Sequence, residues 1–175
     1  DSDEDRDQDG LSDAAELYLT ETKFDDQDSD DNGVEDGLED PDMDTLNNFV
    51  EVEQGTNPLI KDTDEDGVDD NDETGLNPLD PDNDDDGVSD GLELDPPIDS
   101  GRGATDPNLF DSDGDGLSDG DEVLFGSDPN DVDTDDDFLL DGDDVEVSLL
   151  NWDADLDGIP DGIEQFYLNT SPEAD

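Results

Sequence analysis

Residues 111–122 read DSDGDGLSDGDE: acids at the first, third, fifth, ninth and twelfth places, and glycine at the sixth. Carboxylates this close repel one another unless a positive charge lies between them. Alternate residues 1, 3 and 5 can turn their oxygens toward one point. A glycine at 6 permits the sharp bend that brings the carbonyl of residue 7 round to the same point. A glutamate at 12 closes the far side with both oxygens. This is the ligand order of a twelve-residue calcium loop.

The pattern recurs eight times, starting at Asp5, Asp28, Asp40, Asp62, Asp82, Asp111, Asp133 and Asp153. The candidate ligands of the first loop are Asp5, Asp7, Asp9, the carbonyl of Leu11, Asp13 and Glu16. In the second they are Asp28, Asp30, Asn32, Val34, Asp36 and Glu39, and in the third Asp40, Asp42, Asp44, Leu46 and Glu51, with Asn48 still offering a carbonyl oxygen. The fourth has Asp62, Asp64, Asp66, Val68, Asp70 and Glu73; the fifth has Asp82, Asp84, Asp86, Val88, Asp90 and Glu93. The sixth has Asp111, Asp113, Asp115, Leu117, Asp119 and Glu122; the seventh has Asp133, Asp135, Asp137, Leu139, Asp141 and Asp144. The eighth has Asp153, Asp155, Asp157, Ile159, Asp161 and Glu164. Of the 63 acids, 38 obey this one spacing rule, and the only exceptions among its places are Asn32 and Asn48. Position 7 is aliphatic in all eight copies, which suits a side chain packed locally beneath its loop.

The donors are hard oxygens, which disfavours zinc, copper and iron–sulfur sites. Mg²⁺ prefers a small octahedron and keeps its waters, so Ca²⁺ suits a long loop ending in glutamate better. Mn²⁺ remains compatible with the same donors. The third and seventh loops should be the weakest or most distorted, because Thr45 and Phe138 replace the position-6 glycine and Asp144 shortens position 12.

Few regular elements are available to position these loops. Asp outnumbers Glu 49 to 14 and favours turns. Segments entering the loops, such as GSDPNDV, are poor helix formers, whereas exits such as SDGDEVLFG read as about two helical turns between a Ser or Asp cap and Gly126. That asymmetry argues against the two-helix hand of many calcium sensors. Leu, Ile, Val and Phe make up 38 of 175 residues, and the net charge is −59, a composition at the edge of disorder. The fold expected is therefore a mostly irregular, calcium-stabilised repeat array with short helical turns after each loop, little or no β-sheet and no conventional hydrophobic core. There is no cysteine, no long apolar run and no signal-peptide pattern. The start at an Asp in mid-motif suggests a piece excised from a longer protein. The surface would repel nucleic acid and anionic lipid. Without His, Cys or a nucleophile–base pair, no enzyme is expected.

The pattern D-x-D-x-D-G-[aliphatic]-x-D-x-x-E followed by G-[ST]-[DN]-P, seen in DSDGDGLSDGDEVLFGSDP and again in the tail EVEQGTNP, resembles the bacterial, cysteine-free thrombospondin type 3 repeat. The resemblance implies a chain wound around bound Ca²⁺, acting as a spacer or interaction segment in a secreted or cell-surface protein. It also implies second sites shared between loops, for which Asp26, Asp80, Asp128 and Asp131 are candidates, the alternative being solvated turn residues. Eight divalent ions would bring the net charge from −59 to about −43. Eight sites at tenfold excess over their dissociation constants would add roughly 11 kcal/mol, comparable with a domain's ~5–15 kcal/mol. Extracellular modules bind calcium at ~10⁻⁴–10⁻³ M and are filled outside cells.

Along the chain, residues 1–94 hold the first five loops and 111–175 the last three. Residues 95–110, with Pro96-Pro97 and a Ser-Gly-Arg-Gly run, read either as a flexible joint or as an enlarged surface turn within one continuous array. Trp152, Phe166 and Tyr167 are expected to pack as a C-terminal cap. The function expected is a calcium-rigidified spacer or stalk; the alternative is a calcium-dependent module for adhesion to a protein or glycan. Expected partners are calcium ions and adjoining domains of a larger chain.

Overall fold

The computed structural model describes residues 4–98, 102–144 and 149–172. Contacts divide the chain into two units, Asp1–Pro81 and Asp82–Asp175, each holding four loops. The segment expected as a joint falls inside the second unit, with residues 99–101 outside those described. There the Thr105 N–H donates to the carbonyl of Glu93 at 3.1 Å.

Short helices exit the loops, each starting at the loop's ninth residue. They are α1 (Asp13–Ala15), α2 (Asn48–Gln54), α3 (Asp90–Leu94), α4 (Asp119–Phe125), α5 (Asp141–Asp144) and α6 (Asp161–Ile163). Wider π-type turns, Glu16–Thr20 and Glu164–Leu168, continue α1 and α6, and a single 3-10 turn, Asp36–Leu38, leaves the second loop. The side chains of Ser12, Asn47 and Ser118 cap the first free N–H groups, so residue 8 of the loop doubles as the helix cap. Gly55 and Gly126 end α2 and α4 in the left-handed region. The fourth loop departs from the expectation of a helix after every loop: it exits through a turn, with one isolated bridge between Thr74 and Leu76. Among the described residues no strand forms, and the chain is mostly irregular, as its composition suggests.

Apolar burial is sparse. The buried apolar side chains are Leu11, Ala15, Val88, Leu117 and Leu139, of which all but Ala15 stand at position 7. Leu46, Val68 and Ile159 are half-buried, and Val34 is 42% exposed, so local packing beneath the loop does not hold for all eight. Leu11 is covered by the following loop. A Cβ on Gly37, at position 10 of the second loop, would lie 3.5 Å from Cγ of Leu11. At four junctions the glycine at position 10 lies against the backbone of the preceding loop. A Cβ there would stand 2.6 Å from the Asp9 carbonyl at Gly37, 2.7 Å from the Asp115 carbonyl at Gly142 and 2.8 Å from the Asp137 carbonyl at Gly162, and would collide with the Asp86 carbonyl at Gly120. The C-terminal cap does not form: Trp152, Phe166 and Tyr167 are all exposed. Glu164, which opens the same turn, is turned inward instead, so the aromatic residues beside it face out.

Inside each loop the backbone is uniform. Position 4 takes positive φ in all eight copies, from 62° at Asp31 and Asp136 to 81° at Gly114. Position 6 does so as well, including Thr45 at 87° and Phe138 at 78°. The third and seventh loops are therefore not distorted; they hold the glycine conformation with residues that disfavour it. Such strain costs of order 1 kcal/mol or more. Since Phe138 is mostly exposed and contributes little packing, Phe138→Gly should stabilise the calcium-loaded protein by about 1 kcal/mol, raising its melting midpoint by about 2–4 °C. A lower midpoint in calorimetry would show that the ring packs favourably or that the loop is unstrained.

Candidate metal centres

Each loop organises its own acids through backbone N–H groups. The N–H of residue 6 donates to Oδ2 of residue 1 in all eight copies, for example Gly33 to Asp28 at 2.8 Å and Phe138 to Asp133 at 2.9 Å. The N–H of residue 7 donates to residue 5 in all eight, at 2.8 Å in Leu11 to Asp9 and at 2.6 Å in Leu139 to Asp137. Residue 3 accepts from the N–H of residue 5 through Oδ1, as in Asp115 to Asp113 at 3.2 Å. These bonds gather residues 1, 3 and 5: ligand oxygens of Asp5, Asp7 and Asp9 lie within 4.8 Å of one another, as do those of Asp40, Asp42 and Asp44, of Asp62, Asp64 and Asp66, and of Asp82, Asp84 and Asp86.

Residue 9 closes the loop. Its N–H donates to the carbonyl just before the loop, as in Asp36 to Gln27 at 2.8 Å, and its Oδ1 accepts the N–H of residue 2, as in Ser29 to Asp36 at 2.8 Å. The second bond appears in seven copies. The exception is the third loop, where Pro41 has no N–H to give and residue 9 is Asn48. Ser or Thr at residue 2 adds a hydroxyl bond to the same acid, from Thr63, Ser112 and Thr134 at 2.6 to 2.7 Å.

What remains after these bonds is a set of buried anionic oxygens that no protein group satisfies. Both side-chain oxygens of Asp7, Glu16 and Glu51 are such atoms, as are one oxygen each of Asp36, Asp42, Asp64, Asp84, Glu93, Asp113, Glu122, Asp135, Asp161 and Glu164. Glu16, Glu51 and Glu122 are fully buried. An unpaired buried carboxylate costs several kcal/mol. The chain holds only four Lys and Arg. Lys23 pairs with Asp26 at 3.0 Å, Lys61 with Asp69 at 2.6 Å and Arg6 with Asp13 at 3.0 Å, all on the rim. Divalent cations of oxygen-loving type fit the donor set: three to five hard oxygens converging, one supplied by a glutamate with a free carboxylate edge.

The same residues also meet between loops. Asp9 and Glu16 of the first loop lie within 4.8 Å of Asp36, residue 9 of the second, and all three are buried. The Gly37 N–H reaches back to Oδ2 of Asp9 at 3.1 Å. Gly120 donates likewise to Asp86 at 2.9 Å and Gly142 to Asp115 at 2.7 Å. Asp44 and Glu51 feel the charge of Asp70, Asp86 that of Asp119, Glu122 that of Asp141, and Asp137 that of Asp161. At five junctions residue 5 of one loop thus lies near residue 9 of the next, and at three of them residue 12 does as well. Of the flanking acids, Asp26 is paired with Lys23, and Asp128 accepts from the Asn130 N–H at 3.2 Å.

Two groups of residues escape a reading for ligands alone. The position-10 glycines are visible only as a recurrent DG after the ninth place. The Ser or Thr of the tail orients residue 12: Thr105 donates to Glu93 at 3.0 Å, Ser127 to Glu122 at 3.2 Å and Thr170 to Glu164 at 2.6 Å.

Two segments of the chain, residues 5–22 and 111–132, match the family model of the bacterial TSP3 repeat. They contain the first and sixth loops with their exits. No curated protein and no solved structure matches the chain. Repeats of this family are structural calcium-binding units that occur in extracellular proteins.

The ion-free electrostatics carry a pH signature. Burial first, then neighbouring aspartates, pushes Glu16, Glu51 and Glu122 up to about 8, and burial does the same to Glu93. Burial and the neighbouring acids lift Asp84, Asp113 and Asp135 to about 6. A carboxyl whose pKa is raised by folding stabilises the fold below its unfolded value and loses that contribution as pH climbs through the folded one. Without calcium, the chain should therefore become smaller as pH falls from 8 toward 5. A hydrodynamic radius in chelator that stays constant or grows over this range would contradict the assignment.

Proposed function

We propose that this chain, which carries bacterial thrombospondin type 3 repeats, is a calcium-binding region that calcium turns into a rigid spacer within a secreted or cell-surface protein. The observation that carries the reading is the set of buried, unsatisfied carboxylate oxygens at residues 3 and 12 of successive loops. Residues 1, 3, 5 and 12 would hold a cation in each of eight loops, and residues 5, 12 and 9 of successive loops would hold one at each of five junctions. The ion supplies positive charge and coordination geometry. The protein's own part is to pin each carboxylate with a backbone N–H, so that the ordering entropy is lowered before an ion arrives.

A spacer suits residues arranged this way because, within each unit, consecutive loops meet through residues 5, 9 and 10. Affinities of the extracellular class, ~10⁻⁴–10⁻³ M, would fill the sites outside cells and empty them in cytosol. A second reading, calcium-dependent adhesion to a protein or glycan, is favoured by Trp152, Phe166 and Tyr167, which stand exposed in the second unit. Aromatic residues of this kind are frequent binding anchors.

Spin labels on cysteines introduced at the two ends of the chain, which has none of its own, test the spacer. Pulsed electron-spin measurements should give a narrow distance distribution in millimolar calcium and a broad one in chelator. A distribution equally broad in both would reject a rigid spacer. Calcium-dependent capture of one surface protein or glycan, lost in Trp152→Ala, would favour adhesion instead.

A further inference from the structure

We infer that the junction between the second loop (Asp28–Glu39) and the third (Asp40–Glu51) takes no shared cation, two carboxamides standing in the ion's place. The inference rests on the proposed reading of the other junctions. At those, residues 5 and 12 of one loop and residue 9 of the next are all acids. At this one they are Asn32, Glu39 and Asn48, so both departures from the acid rule fall on a single junction.

The hydrogen bonds show what the amides do. The Val34 N–H donates to Oδ1 of Asn32 at 2.8 Å, which fixes the side chain's orientation and turns Nδ2 the other way. That Nδ2 donates to Oε1 of Glu39 at 2.6 Å. Residues 5 and 12 of the second loop are thus joined on its exposed side, donor to acceptor, and Asn32 turns an N–H where the other loops turn a carboxylate oxygen. Asn48 is almost fully buried and donates through Nδ2 to the carbonyl of Asp36 at 2.6 Å, while its Oδ1 meets no protein donor. A carboxylate there would face that carbonyl with no proton to share.

Packing supports the inference independently. Position 10 of the third loop is Phe49, where the second, sixth, seventh and eighth loops have a closely approached glycine, and its ring lies against the first loop: a Cβ on Gly10 would stand 3.4 Å from it. Correspondingly Val34, the position-7 side chain of the second loop, is 42% exposed where Leu11 and Leu139 are 1% exposed. The twelve-residue step leaves no spacer between the two loops. The bonds that cross this junction, from Asn48 Nδ2 to the Asp36 carbonyl at 2.6 Å and from the Asn48 N–H to the Glu39 carbonyl at 2.9 Å, join neutral groups and need no cation between them.

Metal analysis of the full chain after equilibrium dialysis against saturating calcium tests this, comparing the parent, Asn32→Asp/Asn48→Asp and Asp36→Asn. The double variant restores the acid set and should bind one ion more per chain than the parent, with its hydrodynamic radius unchanged. Asp36→Asn keeps an oxygen for the Ser29 N–H and should bind one ion fewer. If Asp36→Asn loses an ion and the double variant gains none, or expands without gaining one, the amide junction is wrong and the shared sites stand. If Asp36→Asn loses none, the proposed shared sites themselves fail.

Discussion

The structure depends on neutralising buried negative charge. Glutamates at position 12 are as inaccessible as the few aliphatic residues, and the bases that might offset them are few and peripheral. An ordinary domain of this length would bury a large apolar interior; here the buried apolar set amounts to single residues under individual loops. Under the proposed reading, cations between carboxylates order the chain, and the rest of the loop arranges for their reception. Backbone N–H groups aim the oxygens, glycine or strained residues at 4 and 6 make the bends, and short helices begin where the loop closes.

One carboxylate serves several neighbours. Asp9 accepts the Leu11 N–H within its loop and the Gly37 N–H from the next, while standing beside Glu16 and Asp36. Position 5 is thus both the centre of one loop and the edge of the next contact. Under the proposed reading, an ion in the loop and an ion at the junction share this residue, so occupancy at one site orders the other. At four junctions a position-10 glycine admits the preceding loop's carbonyl, while Asn71 holds that place between the third and fourth loops. Where the glycine is replaced by Phe49, the sharing residues are replaced as well. Charge, backbone contact and packing change together at that one place.

Much of this is legible in the sequence because the ligand rule is local. Spacing within twelve residues predicts the turn, the cation donors and the exit helix, and the structure has these around Asp111–Glu122 as around Asp5–Glu16. Relations between loops were legible only through the family resemblance, which suggested shared sites but not their members. The flanking acids seemed the obvious candidates. The geometry brings together acids already counted as loop ligands, because residue 9 closes its own loop beside residue 5 of the preceding one. The exposure of Trp152 and Tyr167 was not legible either. Apolar character suggests burial, but a chain whose interior faces are occupied by carboxylates has no surface left for an aromatic cap. Thr45 and Phe138 show the converse: the loop conformation persists without its glycine because the acids and N–H groups over-determine it.

The central claim is that divalent cations, not an apolar interior, give the chain its shape. Small-angle scattering of the full chain at fixed ionic strength, in saturating calcium and then in excess chelator, addresses it most directly. The account predicts that removing calcium raises the radius of gyration toward the roughly 44 Å of an unfolded chain of this length, and that readdition reverses the change. A radius of gyration that is the same in both solutions would contradict it.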